Sequence, residues 1–200
     1  MHALPLLRQR LPTYGAREAA AERRAAVAAV LRPEGADGDE LLFIHRAEHP
    51  LDPWSGHMAL PGGMVDPEDA DALAAARRET REELALDLER SARLLGRLSD
   101  VAPRSLQRSL AISPFVFELA PGDVALAANE EVQEALWIPL AFLADAGNRS
   151  TFFWSRVGVP VPFPCYRWGD GRVIWGLTLR IVDELLELLG DARPGASQAR

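Results

Sequence analysis

Three glutamates, Glu79, Glu82 and Glu83, stand in one short stretch, RRETREEL, shortly after a Pro61-Gly62-Gly63 corner. On a helix of 3.6 residues per turn, Glu82 and Glu83 fall about 60° to one side of Glu79 and about 40° to the other, so the three carboxylates share a face. Like charges three and four positions apart repel by roughly a few tenths of a kcal/mol. A divalent cation would offset that repulsion. Oxygen donors suit hard ions such as Mg²⁺ or Mn²⁺, and Mg²⁺ usually takes one or two carboxylates and completes its shell with substrate phosphates. The chemistry this spacing points to is therefore a hard metal ion shared between carboxylates and the phosphate of a substrate. Gly62 and Gly63 have no side chains, so backbone can come close to metal or phosphate there. Arg78, just before the first acid, is placed to orient the carboxylates. The plain alternative is a solvated acidic helix balanced by Arg77, Arg78 and Arg81.

Such a helix must be docked by another face. Leu73, Thr80 and Leu84 cluster beside the acids, with Ala76 at the near edge, and form a stripe that can bury against a sheet. DPEDAD supplies candidate N-caps, and the spacing predicts a helix from about Ala70 to Leu84. Upstream, ELLFIHRA (Glu40 to Ala47) reads as a buried strand and HMALPGG as a second strand ending in a tight corner. The Ala-rich run from Ala16 to Leu31 reads as a helix ended by Pro33 and Gly35. This divides the chain into an N-terminal helical extension (1–35), a main domain (36–190) and a flexible tail (191–200). Downstream, strands are expected around Leu94, over Arg108 to Leu119 with a kink near Pro114, and near Trp137. Pro139 opens a short helix through Leu143, irregular strands fill Ser150 to Gly171, and Val173 to Leu189 reads as an amphipathic helix. The mixed order of strands and helices favours a single α/β or α+β domain.

The bulk numbers narrow the class. Of 200 residues, 48% are hydrophobic and 26% charged, as in ordinary globular proteins. A net charge of −7 argues against general nucleic-acid binding. The single cysteine, Cys165, excludes an internal disulfide and fits a reducing compartment. No apolar run approaches a membrane span, and the N-terminus lacks the long apolar core of a secretory signal. A cytoplasmic protein acting on a small molecule is the expectation.

The acidic stretch and its corner resemble the signature of the Nudix family, G-x5-E-x7-R-E-U-x-E-E-x-G-U, where U is aliphatic. Gly63 falls on the leading glycine, Asp69 on the first acid, and Arg78 to Leu86 on the second half. The chain departs from the pattern in one extra residue between Asp69 and Arg78, in Asp69 for Glu, in Thr80 for the aliphatic residue and in Ala85 for the late glycine. The extra residue and the alanine are similar to what the coenzyme A pyrophosphatase branch tolerates. LLFIHRA, SGHMALPGG, SPFVFEL, NEEVQEALWIPLAFL and VIWGLTLRIV also resemble segments of the family. The resemblance implies a Nudix-type α/β/α sandwich with a mixed β-sheet. It also implies a metal-dependent pyrophosphohydrolase that cleaves a nucleoside diphosphate linked to another group, with coenzyme A or its thioesters as the indicated substrate. ADP-ribose, NADH and nucleoside triphosphates are the alternatives, as is a non-catalytic nucleotide-binding module. A homodimer is left open.

By the same resemblance Glu79, Glu82 and Glu83 would bind the metal, with the Gly63 carbonyl near it, and a further carboxylate from a later loop would act as base or outer ligand. Glu130 and Glu131 are the candidates, Glu131 ahead, with Glu79 or Glu82 as the other possible bases. Arg46, at the end of the first apolar strand, suits a substrate phosphate or an ion pair with a box carboxylate. Arg104 and Arg108 flank a loop that could reach an acidic substrate, or are simply surface arginines. His45, His49 and His57 match no zinc spacing. Trp54, Trp154 and Trp168 sit in loop-like segments from which a ring could stack on a base, whereas Trp137 and Trp175 read as core.

Overall fold

An alanine-rich run is compatible with either helix or strand, and here the sheet claims it. The computed structural model describes residues 1–35, 38–48, 56–103, 109–122, 124–155 and 159–190. In it Arg23–Gly35 forms strand β1, correcting the helix expected over Ala16 to Leu31 and with it the helical extension over 1–35. The helical part of that segment is α1, Leu4–Arg10, with a 3₁₀ turn at Leu11–Thr13. The reason for the correction lies in burial. Alternate residues of β1 enter two different cores: Ala29 and Leu31 on one face, Ala28 and Val30 on the other. A strand covered on both faces reads as a continuous apolar run, which hides its period of two.

The main sheet, seven strands among the described residues, has β1 near its middle. β2 (Gly38–Arg46) pairs antiparallel with β1, with β3 (Met58–Ala59) and β7 (Val132–Pro139) as its further partners. β4 (Gly62–Met64) pairs with the start of β1, Ala26 opposite Gly63. β6 (Leu110–Leu119) runs parallel to β1 from Arg23↔Leu110 to Leu31↔Glu118, and β5 (Ala92–Arg97) closes that edge. The sheet is thus mixed, in an α/β fold.

Helix α2 (Ala72–Leu84) begins at the Asp71 N-cap, whose side chain accepts the Ala74 N–H at 2.8 Å. It packs on one face, where Ala75 and Ala76 meet Ala26 of β1. Small residues on both partners let helix and strand approach closely. α3 (Leu88–Ser91) follows on the same side, where Leu84, Leu86 and Leu88 join Leu42, Ile44 and Phe117. The other face is covered by α1, α4 (Leu140–Ala144) and α5 (Gly176–Glu187). A small antiparallel sheet of β8 (Arg149–Trp154), β9 (Val161–Trp168) and β10 (Arg172–Trp175) leads into α5. The expected helix from Val173 therefore starts at Gly176, its first three residues belonging to β10. The strands expected near Leu94 and Trp137 and the short helix opened by Pro139 are present.

Two local features carry predictions. Helix α2 ends at Ala85, a non-glycine residue in the left-handed region (φ 55°), whose N–H reaches Arg81 O at 2.9 Å. That conformation costs an L-residue roughly 1–2 kcal/mol, part of which glycine's greater unfolded-state freedom would take back. Ala85→Gly is expected to stabilise the protein by about 0.5–1 kcal/mol. The check is a higher urea midpoint at an unchanged slope; a lower midpoint would overturn it.

The second is Asp100, whose side chain is fully buried. It accepts from Ala19 N–H at 2.9 Å, Arg24 at 2.6 Å, Arg97 at 2.6 Å and the Ser113 hydroxyl at 2.8 Å, pinning the N-terminal arm to β1, β5 and β6. Burial pushes its pKa up, but the bonds from Arg24, Ala19 and Ser113 together outweigh that and hold the carboxyl below its ordinary range. The unfolded chain therefore binds this proton more readily than the native one. The stabilisation is present above the unfolded value of about 4 and is lost as pH falls through the folded value. In acid denaturation, Asp100→Asn is expected to flatten the loss of stability below about pH 4; a curve as steep as that of the native chain would contradict this.

Candidate active site

The helical wheel explains how the three glutamates differ. Glu83 lies toward the docked stripe and is buried at 2% exposure, Glu79 at the centre has an 18% exposed side chain, and Glu82 on the outer flank a 52% exposed one. Glu83 accepts the Gly62 N–H at 2.9 Å. Burial is the largest reason its pKa is pushed up to about 8; the Gly62 hydrogen bond opposes this, Glu79 adds to it, Arg46 opposes it and Glu131 adds to it. The Glu79 carboxyl is raised as well, first by burial, against the pull of Arg78 and with the help of Glu82 and Glu131. Glu79, Glu83 and Glu131 are thus electrostatically coupled carboxyl groups near the Gly62-Gly63 corner, each disfavouring the others' charge until a cation is present.

Arg78 organises the acids, as its position suggests. Its guanidinium donates to both oxygens of Asp69 (3.1 and 2.9 Å), to Glu79 and Glu82 (3.0 Å each) and to the Met64 carbonyl at 3.0 Å. Asp69, at the place of the first acid, is therefore the anchor of Arg78, which holds the Asp69 carboxyl below its ordinary range. Helix, β4 and the intervening loop are tied together by this one side chain.

The corner explains its two glycines separately. Gly62 has φ +145°, and a Cβ there would run into the Ala26 carbonyl and the Val27 backbone of β1. At Gly63 an added Cβ would instead sit 2.7 Å from Glu79 Oε2 and closer still to its Cδ and Oε1. Gly62 serves sheet pairing, whereas Gly63 leaves room for a carboxylate.

The donor set fits a hard divalent ion: two partly desolvated carboxylates whose pKa values burial and mutual repulsion raise, beside glycine backbone. No three His, Cys, Asp or Glu side chains among the described residues converge into a ready-made cage. Glu79 and Glu82 both accept from one Arg78 nitrogen, whereas Glu83 accepts the Gly62 N–H. For Mg²⁺, which completes its shell with substrate oxygens and water, such a half-formed site suffices.

Glu131 is exposed at the start of β7, placed by a loop that hooks onto the end of α2: Ala127 N–H to Leu84 O and Asn129 N–H to Glu83 O, both 2.9 Å. It raises the pKa of both Glu79 and Glu83. Arg46 lowers the Glu83 pKa and lines the neighbouring cleft. Arg104, Arg108, Trp54 and His49 lie outside the described residues. His45 contacts Gly56 O at 3.1 Å and His57 packs on Trp175.

On the α5 side of the corner opens a cleft of 610 Å³ to which Gly62, Gly63 and Arg46 contribute. Trp175, read as core from the sequence, lines it together with Trp154. Continuity between the apolar VIW and the helix that follows hid this role; the glycine at 176 was the signal that a strand ends there. Trp168 instead packs edge-on against Phe142 at 4.8 Å. A larger groove of 790 Å³ near Arg8, Arg32 and Trp137 is lined by charges already paired, Arg8 with Glu118 and Arg32 with Glu40, and lies away from the box acids.

Comparison with known proteins agrees with this geometry. The NUDIX domain model matches residues 22–154. An uncharacterised Nudix hydrolase, NudL, of Yersinia enterocolitica is 33% identical over 162 residues, covering 79% of this chain and 76% of the relative. NudL of Yersinia pestis is 31% identical over 171 residues, 84% of this chain and 80% of the relative. The crystal structure of a MutT/nudix family protein from Enterococcus faecalis shares the fold, with a TM-score of 0.54 and 19% identity over 92% of this chain and 66% of that one. The matched span runs from just before β1 to the end of β8 and so takes in the corner, α2 and the loop of Glu131: this chain belongs to the Nudix hydrolase family.

Proposed function

We propose that the protein is a metal-dependent pyrophosphohydrolase of nucleoside diphosphate derivatives, with coenzyme A or its thioesters as substrate. The observation that carries this is the coupled set of carboxyl groups of Glu79, Glu83 and Glu131 at a corner where Glu83 accepts the Gly62 N–H and Gly63 makes room for Glu79. Glu79, Glu82 and Glu83, with the Gly63 carbonyl, would hold Mg²⁺ or Mn²⁺. When bound, such an ion supplies positive charge for the bridging phosphates and makes water more acidic. Arg46 binds a phosphate oxygen as a fixed positive charge. Water attacks one phosphorus of the P–O–P linkage, and the bridging oxygen leaves with its electron pair. The proton of the attacking water passes to a Glu131 carboxylate oxygen, with Glu79 or Glu82 as the alternative acceptors. Asp69 keeps Arg78 in place and Arg78 keeps Glu79 and Glu82 in place, so neither need touch substrate.

The resemblance of LLFIHRA and SGHMALPGG to the strand and loop that precede the signature in the coenzyme A pyrophosphatase branch supports the coenzyme A reading; ADP-ribose, NADH and nucleoside triphosphates are the competing substrates. The test is product release from this panel with Mg²⁺, with Mn²⁺ and with EDTA. Cleavage of coenzyme A to 3',5'-ADP, abolished by EDTA, is expected. Cleavage of another member alone would keep the reaction and discard coenzyme A, and EDTA-resistant turnover would discard the metal.

A further inference from the structure

The 610 Å³ cleft shares Gly62, Gly63 and Arg46 with the acidic corner, yet its chemistry is the opposite. Val27, Met58, Ile112 and Leu177 line it with the rings of Trp154 and Trp175. Apart from the indole N–H groups, the described lining side chains with polar atoms are Arg46, His57 and Thr178. Thr178 spends its hydroxyl on the Met58 carbonyl at 3.2 Å, and the His57 ring meets Trp175 edge-on at 5.1 Å. A nucleobase placed here would bury hydrogen-bonding edges against few side-chain partners, which costs binding. An aliphatic chain has no such edges and gains from every methylene it takes out of water.

We propose that this cleft binds an aliphatic group carried on one side of the substrate's diphosphate, with Trp154 and Trp175 as the specificity-determining walls. The proposal rests on the diphosphate reading of the corner, because the two share one wall, and not on coenzyme A, whose arm beside the diphosphate carries hydroxyl and amide groups. A substrate bound across Gly62-Gly63 presents its phosphates to Arg46 and to the ion that Glu79 and Glu83 would hold, and lays the attached chain toward α5. Trp175 is fixed for this task by its neighbours: Phe152 at 4.9 Å, Phe163 at 5.3 Å and Trp154 at 5.7 Å between ring centroids. A wall so supported loses little conformational freedom when a ligand docks.

The test uses methyl, butyl, hexyl and octyl diphosphate with Mg²⁺, titrated calorimetrically into the full chain carrying Glu82→Gln, so that binding is read while turnover is slowed about 10²-fold. Affinity is expected to rise by about two- to four-fold per methylene until the cleft is filled. Adding Trp154→Ala should reduce that increment while circular dichroism shows the fold retained. Leu177→Gln, which places an amide on the same wall, should reduce it too. Equal affinity for methyl and octyl diphosphate would overturn the proposal, as would an increment untouched by both substitutions. The two readings fail differently. A chain-length dependence in a protein that cleaves no diphosphate removes the hydrolase reading and keeps the cleft. Cleavage without chain-length dependence does the reverse.

Discussion

Glu82→Gln is expected to lower metal-dependent turnover by about 10²-fold or more, the scale of a lost acid-base or metal-charge contribution, with the fold unchanged. The substitution keeps the shape of the side chain and removes its charge. Glu82 is the right acid to choose because its structural cost is small. Its side chain is 52% exposed, and its ion pair with Arg78 is one of several that Arg78 makes. An exposed pair of this kind is worth no more than about 1 kcal/mol. Glu83→Gln would be harder to interpret, since Glu83 is buried and holds the Gly62 N–H. Measuring kcat and the melting temperature on the same preparation separates the two effects. Turnover within a few-fold of the native enzyme would remove Glu82 from the metal site and leave it as a partner of Arg78.

The acidic helix was legible in the sequence because everything that defines it is local. The N-cap region, the apolar stripe and the three acids lie within one stretch, and the wheel even orders their exposure. Strand β1 was not legible for the opposite reason. Besides the adjacent β2, its partners β6 and β4 lie far along the chain, and its alanines satisfy helix propensity just as well. Glu131 could be named as a candidate, but its place beside Glu79 and Glu83 depends on Asn129 and Ala127 hooking the end of α2, which no local pattern shows. Trp175 was misread as helix core because an apolar strand running straight into an amphipathic helix leaves no break in hydrophobicity. Arg78 was assigned the right role, although its anchorage by Asp69 and Met64 needed the fold.

Gly63→Ala is expected to cost about 10²-fold in turnover with little loss of stability, because a displacement of about 1 Å in a positioned group suffices for that. Alanine suits the extended backbone at 63, which pairs with Ala26 of β1, so the sheet has no reason to open. The new methyl would instead overlap the carboxylate of Glu79, the far end of a flexible side chain. That end can move; in moving, it leaves the corner and disturbs its bond to Arg78. Gly62→Ala should behave in the opposite way. Its Cβ would strike the Ala26 carbonyl and the Val27 backbone, at φ +145°, where neither side can yield cheaply. That variant should lose stability first and activity only with it. Paired melting and rate measurements on the two variants therefore read out two roles from adjacent residues. If Gly63→Ala turns over like the native protein, Glu79 does its work somewhere other than against Gly63, and the metal site proposed around this corner must be redrawn.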